Sequence, residues 1–277
     1  MCLLQRKGKD GTVKELLEAN EIVKHLKETA DLGLHIRSLD PLKVRICVHA
    51  DASLNTVQGC KSQGATLVSL VDEDVLEGRE GFLNLVNWRS GTIDRVCAGS
   101  LAAEANAMAA ACHQAEWTQQ AFCELTNALY DPMVRRRTLH EWERSSPRAS
   151  FDLNVRGALI VRNDIDGKLK KNICITDARA LYDALERDSL KSKEKQVALV
   201  TAEIKQVMAV TGLIPRWMPH NNMAVDGLTK EMKKANLKPL MSLMKTGRLR
   251  LTAEEQETEH RKELKEQGIR ITRDKGK

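Results

Sequence analysis

The apolar positions change their period from segment to segment, and each period predicts an element. Leu16, Leu17, Ile22, Val23 and Leu26 recur at helical spacing between Val13 and about Leu34, with Gly33 placed to stop the helix. After the Asp40-Pro41 turn, Val44, Ile46 and Val48 alternate with Arg45, Cys47 and His49, the period-2 pattern of a strand ending near Asp51. Ala65 to Val71 and Phe82 to Trp88 predict two more strands, and the acidic, Gly-containing residues between them suit a hairpin. Ser100 can cap a long helix to about Leu129, in which Leu101, Ala105, Met108, Cys112 and Ala115 form one stripe. Residues 131–150, with Asp-Pro, three successive arginines and Ser-Ser-Pro, predict a surface loop or insert. Gly157 to Val161 and Asn172 to Thr176 follow as short strands, then Ala178 to Asp188 and Glu194 to Val210 as helices. Leu213 to Met218 is a strand whose Pro215 suits an edge or a strand end, and the last helix runs from about Asn221 to Ala235. No internal repeat interrupts this order. With Gly157 to Val161 left to the insert, it predicts an α/β fold, a mixed five-stranded sheet flanked by helices.

Composition narrows the class. Of 277 residues, 42% are hydrophobic and 30% charged, which suits a globular chain with a core and excludes disorder throughout. The excess of 44 basic over 38 acidic residues, +6, permits a polyanionic partner without requiring one. The longest uncharged apolar run, the Ala-rich stretch after Glu104, is shorter than the ~20 residues of a membrane span, so no membrane association is expected. Seven scattered cysteines without a C-x-x-C pair read as reduced thiols, with neither a disulfide framework nor a zinc site. With no secretory signal at the N-terminus, the expected location is cytoplasmic or nuclear.

Four carboxylates stand out by position in the pattern. Asp51 closes the first strand among small neighbours, where a turn Asp is the plain alternative. Glu104 lies beside the apolar stripe of its helix; an ionised Glu there is costly unless paired or bound to a metal, and the alternative is the solvent edge of the stripe. Asp177 follows the strand Asn172 to Thr176 and precedes a helix, a place the helix dipole alone favours. Asp226 sits in the last helix, where a surface Asp is ordinary. Acidic side chains converging at one end of a sheet are what a hard divalent cation requires, and two such ions ~3.5–4 Å apart can hold the attacking and leaving oxygens of a phosphodiester.

The sequence resembles the ribonuclease H domain at the end of copia-type retrotransposon Pol polyproteins. The resemblance is carried by Val48-His49-Ala50-Asp51-Ala52-Ser53, Lys61-Ser62-Gln63-Gly64, Trp88-Arg89-Ser90 and the stretch from Arg95-Val96 to Ala102-Ala103-Glu104-Ala105. It continues through Thr176-Asp177-Ala178-Arg179-Ala180-Leu181-Tyr182 and from Arg216-Trp217-Met218-Pro219 to Asp226-Gly227-Leu228-Thr229-Lys230. Single motifs are weak; the set in order is specific, and it spans about residues 15–245.

The resemblance implies a ribonuclease H-like fold with N- and C-terminal helical appendages. Residues 1–42 would be a helical connection segment, 43–235 the domain with an insert at about 131–170, and 236–277 a charged helical or disordered tail. It implies Mg²⁺-dependent hydrolysis of the RNA strand of an RNA–DNA hybrid, with Asp51, Glu104, Asp177 and Asp226 holding two Mg²⁺ ions, or Mn²⁺ in their place. His220 stands where cellular relatives place a mobile proton-transfer His. Lys61, Arg89 and Lys230 flank the carboxylate segments as candidate phosphate contacts. The implied partners are the hybrid and reverse transcriptase or other Pol segments. Several features depart from the family: Asn106 replaces a frequent second Glu, Ser192-Lys193-Glu194-Lys195-Gln196 replaces a usual His-containing segment, the insert is long, and aromatic residues make up 3%. No aromatic-x-Asp-Asp polymerase motif occurs. These departures keep open a second class, a catalytically degenerate nucleic-acid-binding remnant of the same fold. An integrase or transposase on this fold requires a late-helix Glu, where this chain has Asp226.

Overall fold

A computed structural model of the chain describes residues 11–57, 61–126, 171–187, 195–230 and 234–252. The expected insert, the strand Gly157 to Val161 and the tail beyond Thr252 lie outside these residues. The elements run α1 (Val13–Glu28), β1 (Val44–Val57), β2 (Lys61–Asp72), β3 (Gly81–Thr92), α2 (Ser100–Thr126), β4 (Asn172–Thr176), α3 (Arg179–Glu186) and α4 (Lys195–Thr211). They continue with β5 (Leu213–Trp217), α5 (Asp226–Thr229), α6 (Lys234–Thr246) and β6 (Arg248–Leu249).

The strands form one sheet in the order β5-β4-β1-β2-β3-β6. β1, β2 and β3 are an antiparallel meander with Asp51 opposite Ala65 and Ala65 opposite Ser90. β4 joins β1 in parallel, His49 beside Ile175, and β5 joins β4 in parallel, Thr176 beside Trp217. This is the expected α/β arrangement, a mixed sheet flanked by helices, with one correction: among the described residues the sheet has six strands where the pattern predicted five. Two residues are too few to show a period, so β6, which pairs Leu249 with Gly81, left no signal in the sequence.

β1 is buried on both faces because two apolar layers cover it. Ile46, Val48 and Ala50 point to a layer built with Ala105, Met108, Cys112 and Ala115 of α2 and with Val200, Ile204 and Val207 of α4. Small residues along α2 let it lie close to the sheet. At the mouth of this contact, a Cβ on Gly64 would come within 3.1 Å of Ile93 and 3.6 Å of Ala107. Cys47 joins the opposite layer with Leu67, Ile173, Ile175, Met218, Met223, Leu240 and Leu243, closed by Leu249 and Leu251. The five described cysteines, at 47, 97, 112, 123 and 174, are buried. None of the described helices is long and apolar enough to cross a membrane.

Three expected boundaries move. α1 stops at Glu28, short of Gly33, where the Thr29 backbone leaves the helical region with φ −113° and ψ 21°. The helix expected over Asn221 to Ala235 is a 3-10 turn at His220–Asn222, then α5, with α6 beginning only at Lys234. Beyond the expected boundary at 235, Leu240, Leu243, Leu249 and Leu251 pack into one of the two apolar layers. At the other end α1 buries no side chain, whereas the residues after it are tied down: Asn84 of β3 accepts from the Arg37 amide at 2.8 Å and donates to its carbonyl at 2.7 Å.

Candidate active site

Strand register brings the first two carboxylates level. Asp51 and Asp177 each lie two residues beyond the paired His49 and Ile175 on adjacent parallel strands, so both side chains emerge at the same sheet end. Glu104 approaches from the first turns of α2, and Asp226 opens α5, the short helix that follows β5. Carboxylate oxygens of Asp51, Glu104 and Asp177 lie within 4.8 Å of one another, and ligand atoms of Asp177, His220 and Asp226 do the same. All four predicted carboxylates and His220 therefore share one cluster, with Asp177 common to both triads.

Supporting contacts come from residues the sequence reading left without a role. Thr229 donates its hydroxyl to Asp51 Oδ2. The Trp217 indole donates to the Asp177 carbonyl at 2.9 Å. Gln63 donates to the Ser90 hydroxyl at 2.7 Å and Ser90 donates to the Leu228 carbonyl at 2.6 Å, which anchors α5 across the sheet. Thr229 had a signal, its place three residues after Asp226 on one helical turn. Ser90 and Gln63 had none, because only cross-strand pairing brings them to α5.

Electrostatics divide the cluster. Burial, with Asp177 and Asp226 nearby, pushes the Asp51 carboxyl up to about 7 despite Lys230 and the Thr229 hydroxyl. Burial, together with Asp51 and Asp177, pushes Glu104 up to about 10, and its Oε2 is buried without a hydrogen-bond partner. Asp226 behaves oppositely. Burial would raise it, but hydrogen bonds from His220 and Lys230 outweigh burial and hold it below the usual carboxylate value. His220 Nδ1 sits 2.8 Å from Asp177 Oδ2 and 2.9 Å from Asp226 Oδ2, and these two carboxylates raise it to about 9. His49, beneath Asp51, is driven to about 4 by burial and is neutral.

The three candidate phosphate contacts separate. Lys230 belongs to the carboxylate cluster itself: its Nζ is 2.7 Å from Asp226 Oδ1 and 3.9 Å from Asp51 Oδ2. Four residues after Asp226 on α5 and its cap, it can return to that carboxylate. Arg89 is exposed, and its place opposite Thr66, itself opposite Ala50, puts it on the sheet face that α2 covers. Lys61 is exposed at the start of β2, opposite Val57.

The residues fit hard divalent cations. Every donor is a carboxylate oxygen apart from His220, one buried oxygen of Glu104 lacks a partner, and burial together with neighbouring negative charge raises two of the carboxyls. Among the described residues no cysteine belongs to either triad.

No protein-family model matches the chain, and no curated protein matches it. Among solved structures it is similar to an N-terminal RNase H domain from Mycobacterium tuberculosis fused to maltose-binding protein, with 11% identity, coverage of 71% of this chain and 99% of that one, and a TM-score of 0.38. It is similar to RNase H1 from the halophilic archaeon Halobacterium salinarum, with 14% identity, coverage of 68% and 96%, and a TM-score of 0.37. A third is the foamy viral protease-reverse transcriptase in complex with an RNA/DNA hybrid, with 12% identity, coverage of 70% of this chain and 21% of that one, and a TM-score of 0.37.

Proposed function

We propose that the protein is a ribonuclease H that cleaves the RNA strand of RNA–DNA hybrids with divalent metal ions, and that it derives from a copia-type Pol polyprotein. The observation that carries this reading is the convergence of Asp51, Glu104, Asp177 and Asp226, drawn from four separate segments, at one end of the sheet. The ordered motifs around these residues support the copia-type origin and, with it, reverse transcriptase or other Pol segments as partners.

In this reading Asp51, Glu104, Asp177 and Asp226 would together hold two Mg²⁺ ions, with Mn²⁺ as a substitute. When bound, the ions supply an activated water and neutralise the leaving oxygen of the phosphodiester. Thr229 and Trp217 orient the ligands: the Thr229 hydroxyl fixes one oxygen of Asp51, and the Trp217 indole fixes the backbone at Asp177. His220, half exposed and bridging two of the carboxylates, is placed to carry a proton on its ring between the cluster and solvent. Lys61 and Arg89 would contact phosphates beside the cluster.

The test is cleavage of a hybrid labelled on the RNA strand, in Mg²⁺, by the wild type, Asp51→Asn and Asp177→Asn. Losing a supporting partner of a metal ligand costs 10–100-fold in activity, so losing a ligand is expected to cost at least about 100-fold. Circular dichroism is expected to stay unchanged. Full activity in either variant removes that residue from the site. Hybrid binding with no cleavage by the wild type identifies the non-catalytic remnant.

A further inference from the structure

Lys230 occupies an unusual place for the cation of an acidic site. Its Nζ lies 2.7 Å from Asp226 Oδ1 and 3.9 Å from Asp51 Oδ2, and 3.2 and 3.3 Å from the two ring nitrogens of His220. The ammonium therefore stands between two carboxylates from opposite sides of the cluster, Asp51 on the central strand and Asp226 on α5. Its side chain is only 26% exposed, so it is held within the site and does not sweep the surface.

Charge counting gives this placement a consequence. Metal binding requires ionised carboxylates, and four of them carry −4, which the Lys230 ammonium reduces to −3. One divalent cation brings this to −1. A second is balanced only if the Lys230 charge withdraws. Of the two ion pairs Lys230 makes, the closer is with Asp226, outside the Asp51, Glu104 and Asp177 triad.

We infer that Lys230 is a tethered stand-in cation: its ammonium fills the Asp51–Asp226 edge of the cluster, competes with divalent ions for it, and must swing out before a second ion is bound. The inference rests on the proposed metal site and adds an order of loading, with the Asp51, Glu104 and Asp177 triad filled first. Lys230 is thus a positioning residue that keeps the metal-free cluster folded and gates its second ion. Its reach suits the motion, because a lysine carries its charge on a flexible four-carbon stem.

The test is Mn²⁺ binding to the full chain without substrate, followed by the loss of the free-ion paramagnetic resonance signal, for the wild type, Lys230→Met and Lys230→Arg. A unit charge ~4 Å away in a partly buried site acts at an effective dielectric far below that of water, so Lys230→Met is expected to bind its weaker Mn²⁺ at least about tenfold more tightly than the wild type. Lys230→Arg, which keeps the charge, is expected not to gain. Equal or weaker binding by Lys230→Met overturns the inference while leaving the metal site in place. No binding by any of the three proteins overturns the metal site and the inference with it. Should Lys230→Met fail to fold, the wild type still decides by ¹⁵N-detected lysine ammonium resonances: one ammonium signal, missing in Lys230→Arg, is expected in the metal-free protein and is lost as Mg²⁺ saturates. Its persistence at saturation overturns the inference.

Discussion

The two halves of the carboxylate cluster are made of the same chemistry and behave in opposite ways. On the Asp51–Glu104 side the carboxyls are pushed up to about 7 and about 10, because burial beside other carboxylates outweighs the relief from Lys230, 3.9 Å from Asp51. On the Asp226 side the carboxyl is held low by His220 and Lys230, which touch it directly. Carboxylates with their own cations have less need of a metal, and those without are unstable until one arrives. Burial is severe in both places, so the proximity of positive charge makes the difference.

Paired substitutions break this comparison most strongly. Glu104→Gln and Asp226→Asn are both expected to lower Mg²⁺-dependent cleavage by at least about 100-fold, yet to move the stability of the metal-free protein in opposite directions. At pH 8 Glu104 is already protonated in the folded state, so the amide should leave the melting temperature equal or higher. Asp226→Asn strips His220 and Lys230 of their shared partner and should lower it. Thermal melts in EDTA check both, and a lower melting temperature for Glu104→Gln would show that the carboxylate is already satisfied.

A pH series sharpens the same contrast. Asp51 and Glu104 have folded values above their ordinary 3.8 and 4.5, so the folded state keeps protons that the unfolded chain releases, and stability falls as pH rises toward 7 and 10. His220 is raised from 6.5 to about 9, so its contribution is complete below 6.5 and is lost as pH climbs through 9. Asp226 is lowered, so its contribution is lost only as pH falls below 3.8. The metal-free protein is therefore expected to lose melting temperature steadily from pH 5 to pH 9, and saturating Mg²⁺ to flatten the slope. Melts with EDTA and with Mg²⁺ across that range check this, and a rising curve in EDTA would contradict it.

The smallest effect belongs to Thr229→Val, which keeps the side chain's shape and removes the donor to Asp51 Oδ2. A hydrogen bond to a charged group contributes about 1.5–3 kcal/mol. The loss should approach this range at pH 8 and shrink at pH 5, where Asp51 is protonated, as denaturant melts at the two values would record.

Much of this was legible from the chain. The alternation of Val44, Ile46 and Val48 and the stripe through Ala105, Met108, Cys112 and Ala115 are strong periodic signals, and both became core. Asn172–Thr176 matches its predicted bounds, since an apolar strand buried on both faces makes a compact, sharply bounded run. The segment after Pro219 was misread as one helix. Met223, Ala224 and Val225 lie in a connection that turns their apolar side chains into the core, and three consecutive apolar residues carry no period that separates a turn from a helix. A lysine beside acidic motifs looks the same in sequence whether it faces solvent or the carboxylates, so the contact of Lys230 with Asp226 is visible only in the structure.

By itself the sequence determined the elements, the two-layered α/β arrangement and the identities of the four carboxylates, because periodicity and local motif order are properties of contiguous residues. The tertiary structure decided which charges share an environment. Asp51 and Lys230 are separated by most of the domain along the chain and by 3.9 Å in space, and that distance, set by the packing of α5 against β1 and β2, puts a cation inside the acidic cluster. The divided titration of the cluster follows from the same fact: a carboxyl's proton affinity depends on its burial and nearest charges, which are set only when strands and helices pack.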